Sequence, residues 1–503
     1  MALSQYKMGA LLSYGTLAFN AVAGLVYTPW MVRSIGADDY GLYTLAISVI
    51  NVFLVDFGLS CAVTRFLSRY YASGSLERIP PFLGIVYKLY AALAGAVFIV
   101  LLAFFFCIDT LYQGLTAEEV SVFKVLYVIV ASYGVISLPL MTLDGILGSN
   151  ERFVGLNLCN LVQKVATVLL IVACLVAGAG VYALVACNAV VGLAMSLVKC
   201  FIVRSSAFAK VDWKSWDSKL AREVAGFSGW SALSTFGERF SSSVLPSVLG
   251  MVADAQAVAI FGLANILGGY LYSAASVLDR MFLPKAARVL EDDSDAAKLQ
   301  SFMVTCGRYQ LIVTGLLFVG FIALGDRFVF CWMGDGYEVV WGCAIALMIP
   351  NMMRMPQNSG EAILDVMGVV KEKALIRFSM LVLTLLLAFP LSLSFGVMGA
   401  CMASCVAGLV RAVVMMLLFR RKIGCRIGDL LASVYVRWVV SSVVVAAFGL
   451  GVSHLPFGGG WRALLLMAFA VTCAYLLAMY AVVLTRGERR RIVGFFGRKL
   501  KRG

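Results

Sequence analysis

Apolar runs of about 20 residues, each long enough to cross a bilayer as a helix, recur from one end of the chain to the other. They predict an all-α polytopic membrane protein with about 14 spans. The spans fall at roughly 8–32, 41–64, 83–107, 121–142, 155–177, 181–203, 224–249, 257–283, 302–325, 339–356, 374–395, 397–419, 430–452 and 461–484. Pro350 and Pro356 interrupt the tenth. No gap between spans has room for a soluble domain. The seventh span, within Gly226 to Gly250, carries a polar stripe: Ser228, Ser231, Thr235, Glu238 and Ser242 recur at steps of three and four and share one helical face. Such a face cannot point at lipid, so it predicts a bundle interior or a wet cavity.

The first span repeats the stripe. Ser13, Thr16, Asn20, Ala23 and Tyr27 stand 215 positions before the five stripe residues of the seventh span. Both spans then reach a proline, Pro29 and Pro246, followed by an acidic turn and a new helix start. This pattern reads as an internal duplication, the alternative being a chance agreement of two amphipathic spans. Duplication predicts two pseudo-symmetric six-helix bundles, 1–203 and 224–422, joined by a cytoplasmic linker at 204–223. Residues 423–503 then supply two extra spans and a basic tail.

Composition agrees with the class: 62% of residues are hydrophobic and 14% charged, with a mean hydropathy of +0.93. The net charge is +14. Its distribution alternates: Lys and Arg crowd the N-terminus, the even-numbered loops and the tail, while the opposite loops carry Asp38, Asp39, Asp109, Asp254, Asp335 and Glu338. The excess of positive charge on cytoplasmic loops places both termini inside. Orientation therefore accounts for the positive charge without a nucleic-acid partner. The apolar run from Met8 to Val32, preceded by a single Lys7, is too long for a cleavable signal. The tail from Arg486, with Phe495 and Phe496 among basic residues, reads either as a binder of anionic lipid headgroups or as a solvated topological anchor.

The thirteen cysteines lie mostly inside spans without a CxxC pair, and His454 is the only histidine. No metal site or cofactor is expected. The chemistry is in the intramembrane charges. Lys88, Lys124, Lys199, Arg280, Arg308, Arg354 and Arg437 sit near predicted span ends, where long stems can snorkel to the headgroups. Lys164, Arg239 and Arg411 are deeper, as are Asp56 and Glu238. Only Asp56, Glu238 and Asp279 are counted as opposing acids. Adjacent residues on a helix point about 100° apart, so Glu238 and Arg239 each need another partner, on a neighbouring helix or on a ligand. Surplus guanidinium and ammonium groups suit an anion, phosphate above all. The last two spans, with purely apolar interiors, read either as peripheral packing or as a surface for a long lipid tail.

The run from Tyr27 to Ala72, YTPWMVRSIGADDYGLYTLAISVINVFLVDFGLSCAVTRFLSRYYA, resembles the O-antigen (Wzx-type) polysaccharide flippases. These belong to the multidrug/oligosaccharidyl-lipid/polysaccharide exporter superfamily. FCWMGDGYEVVW at 330–341 resembles the family's loop before the tenth span. The resemblance implies a non-enzymatic flippase of the bacterial inner membrane that works by alternating access. It implies a substrate, an undecaprenyl-pyrophosphate-linked oligosaccharide, membrane lipids as surroundings, and room for other glycan-assembly proteins as partners. From the family's pattern only Asp56 and Arg65 carry over.

On this reading Arg239, Lys164 and Arg411 hold the pyrophosphate; Asn20, Tyr27, Ser231 and Thr235 contact sugar or water; Glu238 and Asp56 serve ion coupling. Three rivals stand beside it. A multidrug or metabolite antiporter of the same architecture would be expected to show surplus acids inside. A multi-span glycosyltransferase or polymerase would need a large outer loop, and the longest outer loop, around 326–339, is short. A peptidoglycan-precursor flippase shares the layout but not the Tyr27–Ala72 wording.

Overall fold

A computed structural model describes residues 2–54, 58–150, 152–205, 211–279, 282–292, 295–454, 460–484 and 487–489. The described residues contain no strand. Two compact units emerge: residues 1–262 with 392–397, and residues 263–391 with 398–503.

The first unit holds α1 (Ala2–Ile35), α2 (Ala37–Phe53), α3 (Leu59–Ala72), α4 (Ile79–Leu111), α5 (Ala117–Leu140), α6 (Thr142–Ser149), α7 (Phe153–Val176), α8 (Val181–Ser205), α9 (Ser218–Val252) and the start of α10 (Ala255–Asp279). Local sequence sets several of these boundaries. Thr116 and Glu119 form a reciprocal capping box that starts α5. Pro80 and Pro81 occupy the first turn of α4, where no N–H is missed. α1 runs along α7, and α2 packs between α5 and α9. Gly41 on α2 lies so close to the Ala255 carbonyl that any side chain would collide with it. An aromatic cluster of Phe104, Tyr112, Phe123 and Tyr127 seals α4 against α5. There the buried Tyr127 hydroxyl donates to the Leu101 carbonyl at 2.8 Å.

The second unit holds most of α10, then α11 (Phe282–Asp292), α12 (Ala296–Met333), α13 (Val339–Arg354), α14 (Asn358–Val366), α15 (Val370–Ile423), α16 (Ile427–Leu430), α17 (Arg437–Ser453) and α18 (Trp461–Ala478). α12 is its hub, packed against α13, α14, α17 and α18. The Trp438 indole donates to the Tyr475 hydroxyl at 3.1 Å, which donates to the Leu311 carbonyl at 3.1 Å. That relay ties α17 and α18 to α12.

Ten described helical stretches are long and apolar enough to cross a membrane, and the chain is a multi-pass membrane protein. The difference from the predicted fourteen has local causes. The expected span at 41–64 is broken: α2 stops at Phe53 and α3 begins at Leu59, after Gly58 with φ 69°. α1 and α9 are not among the ten, and many of their side chains lie outside the described residues. The stretch Lys371–Ile423 takes in two predicted spans. At 1.5 Å per residue it would reach about 80 Å if straight, far beyond one crossing. It bends at Gly396, whose φ of 57° and ψ of −136° suit a residue without a side chain. The tenth predicted span also continues past its prolines, through a tight turn at Met355–Gln357 into α14.

Candidate functional site: a cationic cluster around Glu361

Arg377 and Arg411 both lie on α15, 34 residues apart, about 50 Å along a straight helix. Both nevertheless reach one carboxylate, so the two arms of α15 lie side by side across the Gly396 bend. The carboxylate is Glu361 on α14, whose side chain is 9% exposed. Its Oε1 accepts from Arg411 at 2.7 Å and its Oε2 from Arg377 at 3.1 Å. The Lys373 ammonium sits 3.8 Å from Oε2 and donates to Asp365 Oδ1 at 2.6 Å. A fourth cation, Arg354 at the end of α13, acts on Glu361 electrostatically, and its guanidinium lies over the Tyr272 ring at 5.5 Å.

The described side chains of this cluster thus number four cations and two carboxylates. Such a group in a low-dielectric interior is held by its internal contacts and favours any further negative charge that enters. Access is from the side of Arg377, 21% exposed, and Asp365, 47% exposed. The Gln357 amide, donating to the Ala412 carbonyl at 3.0 Å, pins the turn before α14 to the second arm of α15.

Several expectations for single charges change. Lys199, Arg308 and Arg354 do not snorkel alone. Lys199 is buried and pairs with Asp144 at 2.7 Å. Arg308 is buried and pairs with Glu488 at 2.9 Å. Acids other than Asp56, Glu238 and Asp279 therefore oppose the intramembrane cations: Glu361, Asp144 and Glu488, and Asp109, which pairs with Lys124 at 2.6 Å. Sequence reasoning missed Glu361 and Lys373 because 357–373 reads as a loop between spans, and Arg377 because it stands in the first turn of the span expected at 374–395. A usable signal was present: Asp144-Gly-Ile-Leu and Glu361-Ala-Ile-Leu follow the fourth and tenth spans in turn.

Of the residues expected to bind substrate or couple ions, Arg411 is half-buried within the Glu361 cluster. Asn20 and Tyr27 are half-buried on α1, with Tyr27 6.3 Å from the Trp30 ring. Lys164 is exposed on α7, the helix that packs along α1. Ser231, Thr235, Glu238 and Arg239 lie on α9, but their side chains fall outside the described residues, as does the whole of Asp56. Among the described side chains no hydrogen bond, ion pair or ring contact joins Asn20, Tyr27 or Lys164 to another candidate.

A second feature of the same unit is an apolar cavity of about 420 Å³. Leu267 and Tyr270 on α10, Phe321 and Phe328 on α12, and Trp461 and Leu465 on α18 contribute to its wall.

Residues 9–278 match the family model described as polysaccharide biosynthesis protein, more than half of the chain. No curated protein matches the sequence. Among solved structures the fold is similar to the lipid II flippase MurJ in an inward closed conformation, with a TM-score of 0.66 at 11% identity over 94% of this chain and 98% of that one. It is also similar to an inward-facing multidrug resistance MATE family transporter of the MOP superfamily, with a TM-score of 0.65 at 15% identity over 84% of this chain and 98% of that one. An outward-facing structure of such a transporter scores 0.55 at 15% identity, over 84% and 95% of the two chains. These likenesses establish the fold, and the match over residues 9–278 establishes the family: the chain belongs to the polysaccharide biosynthesis protein family.

Proposed function

We propose that the protein is a flippase that carries an undecaprenyl-pyrophosphate-linked oligosaccharide, such as an O-antigen repeat unit, from the cytoplasmic to the periplasmic leaflet of the bacterial inner membrane. Both termini lie in the cytoplasm, and transport proceeds by alternating access. The observation that carries this reading is the cationic cluster of Arg354, Lys373, Arg377 and Arg411 inside a member of the polysaccharide biosynthesis family. The charge alternation of the loops assigns the Lys371–Arg377 end to the cytoplasm. There, such a cluster meets the pyrophosphate on the leaflet where the lipid-linked unit is loaded.

Arg239 and Lys164, in the first unit, and Arg411, in the second, are each proposed to contact the headgroup. Asn20, Tyr27, Ser231 and Thr235 offer hydroxyl and amide groups to sugar or water, and Glu238 and Asp56 serve ion coupling. The apolar cavity at α18 gives the lipid tail a resting place. Moving negative charge outward is favoured by an inside-negative potential at about 2.3 kcal/mol per charge per 100 mV. Likeness in fold to a multidrug transporter supports drug or metabolite antiport as a second reading. A cation surplus fits an organic cation poorly, which sets the two readings apart.

Cells lacking this chain are expected to accumulate lipid-linked glycan on the inner leaflet and to lose surface glycan, with drug susceptibility unchanged. Normal surface glycan together with raised drug susceptibility would favour the antiporter.

A further inference from the structure

The two units contain the same small device, built with different charge. In the first, Asp144 on α6 pairs with Lys199 on α8 at 2.7 Å, and the same ammonium donates to Asn160 Oδ1 on α7 at 3.1 Å. In the second, Glu361 on α14 accepts from Arg377 and Arg411 on the two arms of α15. The register agrees. Each carboxylate stands on a short helix after a span and begins an acid-small-Ile-Leu run. Asn160 lies sixteen positions after Asp144, and Arg377 sixteen after Glu361. Lys199 and Arg411 occupy the helical segment after that, 55 and 50 positions beyond their carboxylates.

The amide at the middle position of the first device leaves one ammonium against one carboxylate. In the second the middle position is Arg377, and Lys373 and Arg354 are added. The first device is a balanced tie between three helices. Among the described side chains the second sets four cations against two carboxylates, Glu361 in contact with three of the cations and Asp365 with Lys373, at a place whose rim is open at Arg377 and Asp365.

We propose that Glu361 is a resident counter-anion: it occupies a diphosphate site in the second unit and is displaced when a diphosphate enters, whereas Asp144 is its structural counterpart and binds no ligand. This rests on the flippase reading for its choice of diphosphate. The chemistry follows from competition. A carboxylate and a diphosphate seek the same guanidinium donors, and the diphosphate brings more acceptor oxygens and about two charges. Affinity is then set by how readily Glu361 yields. A headgroup held by exchange rather than by simple addition is released when the carboxylate returns, as a carrier requires.

The test uses the full-length protein in nanodiscs of phosphatidylcholine, with inorganic pyrophosphate as the probe. Binding is read by calorimetry and by thermal unfolding. Wild type is expected to bind weakly. E361Q, which keeps the shape and removes the competing charge, is expected to bind about tenfold tighter. E361Q is also expected to be less stable than wild type and to be restored by pyrophosphate but not by chloride. R377Q, at the open rim, is expected to weaken wild-type binding about tenfold, a readout that stands even if E361Q cannot be purified. D144N, which exposes one ammonium rather than four cations, is expected to show no gain.

The proposal is overturned if E361Q binds no more tightly than wild type, if R377Q leaves binding unchanged, or if D144N gains as much as E361Q. It is also overturned if phosphatidylglycerol in the nanodisc stabilises E361Q as well as pyrophosphate does, since the site would then belong to bulk phospholipid. Should these bindings behave as expected while cells lacking the chain show no trapped glycan, the site stands and the flippase reading falls. Trapped glycan with no gain in E361Q means the reverse: the flippase reading stands and the site falls.

Discussion

At the residue scale the molecule turns on how buried charge is held. Glu361 keeps like-charged neighbours at close range, so removing it without replacement leaves Arg411, Arg377 and Lys373 repelling one another. E361A is expected to lower stability by about 3–5 kcal/mol, seen as a marked fall in unfolding temperature of the detergent-solubilised protein. Arg239 stands on α9 next to the stripe residue Glu238, and its expected effect is on transport. R239A is expected to reduce surface glycan at unchanged protein level, and full surface glycan in that variant would remove Arg239 from the headgroup site. Arg411 could be picked from the sequence because a deep arginine in an apolar run demands a partner. Its partner could not, because Glu361 sits in a run too polar to look like membrane. A short helix that continues a span through a tight turn carries no hydropathy signal of its own.

At the element scale, close approaches fix the helices. Gly41→Val on α2 places side-chain atoms against the Ala255 carbonyl, and pushing the backbone apart is expected to cost about 1–3 kcal/mol. Lower yield and a lower unfolding temperature would show it. Tyr475→Phe removes one hydroxyl that both accepts from Trp438 and donates to Leu311. The loss is expected near about 1–3 kcal/mol because the buried Trp438 indole N–H loses its acceptor, while the Leu311 carbonyl keeps its helical hydrogen bond, again read by thermal unfolding. Hydropathy made the long apolar helices visible. It placed α2 and α3 in one span because the apolar residues around Leu54 to Gly58 outweigh the single Asp56, whereas α2 ends at Phe53 and α3 starts only after Gly58, with φ 69°. It also separated the arms of α15 in the right region, since Gly396 is the one residue of Ser394–Val397 suited to a positive φ.

At the scale of the whole molecule, charge placement is expected to set the orientation, on which the proposed outward transport rests. A single cysteine introduced as Asp335→Cys in a cysteine-free background is expected to react with a membrane-impermeant maleimide in intact cells, and Lys214→Cys is not. The opposite pattern would invert the topology and place the Glu361 cluster at the outer leaflet. The central claim is movement of a lipid-linked diphosphate glycan between leaflets, and reconstitution tests it most directly. In proteoliposomes loaded with undecaprenyl-pyrophosphate-linked oligosaccharide on the inner leaflet, the purified protein is expected to make the glycan accessible to an added glycosidase. The rate should fall sharply in R411Q. Glycan that stays protected in the presence of active, correctly folded protein would contradict the account.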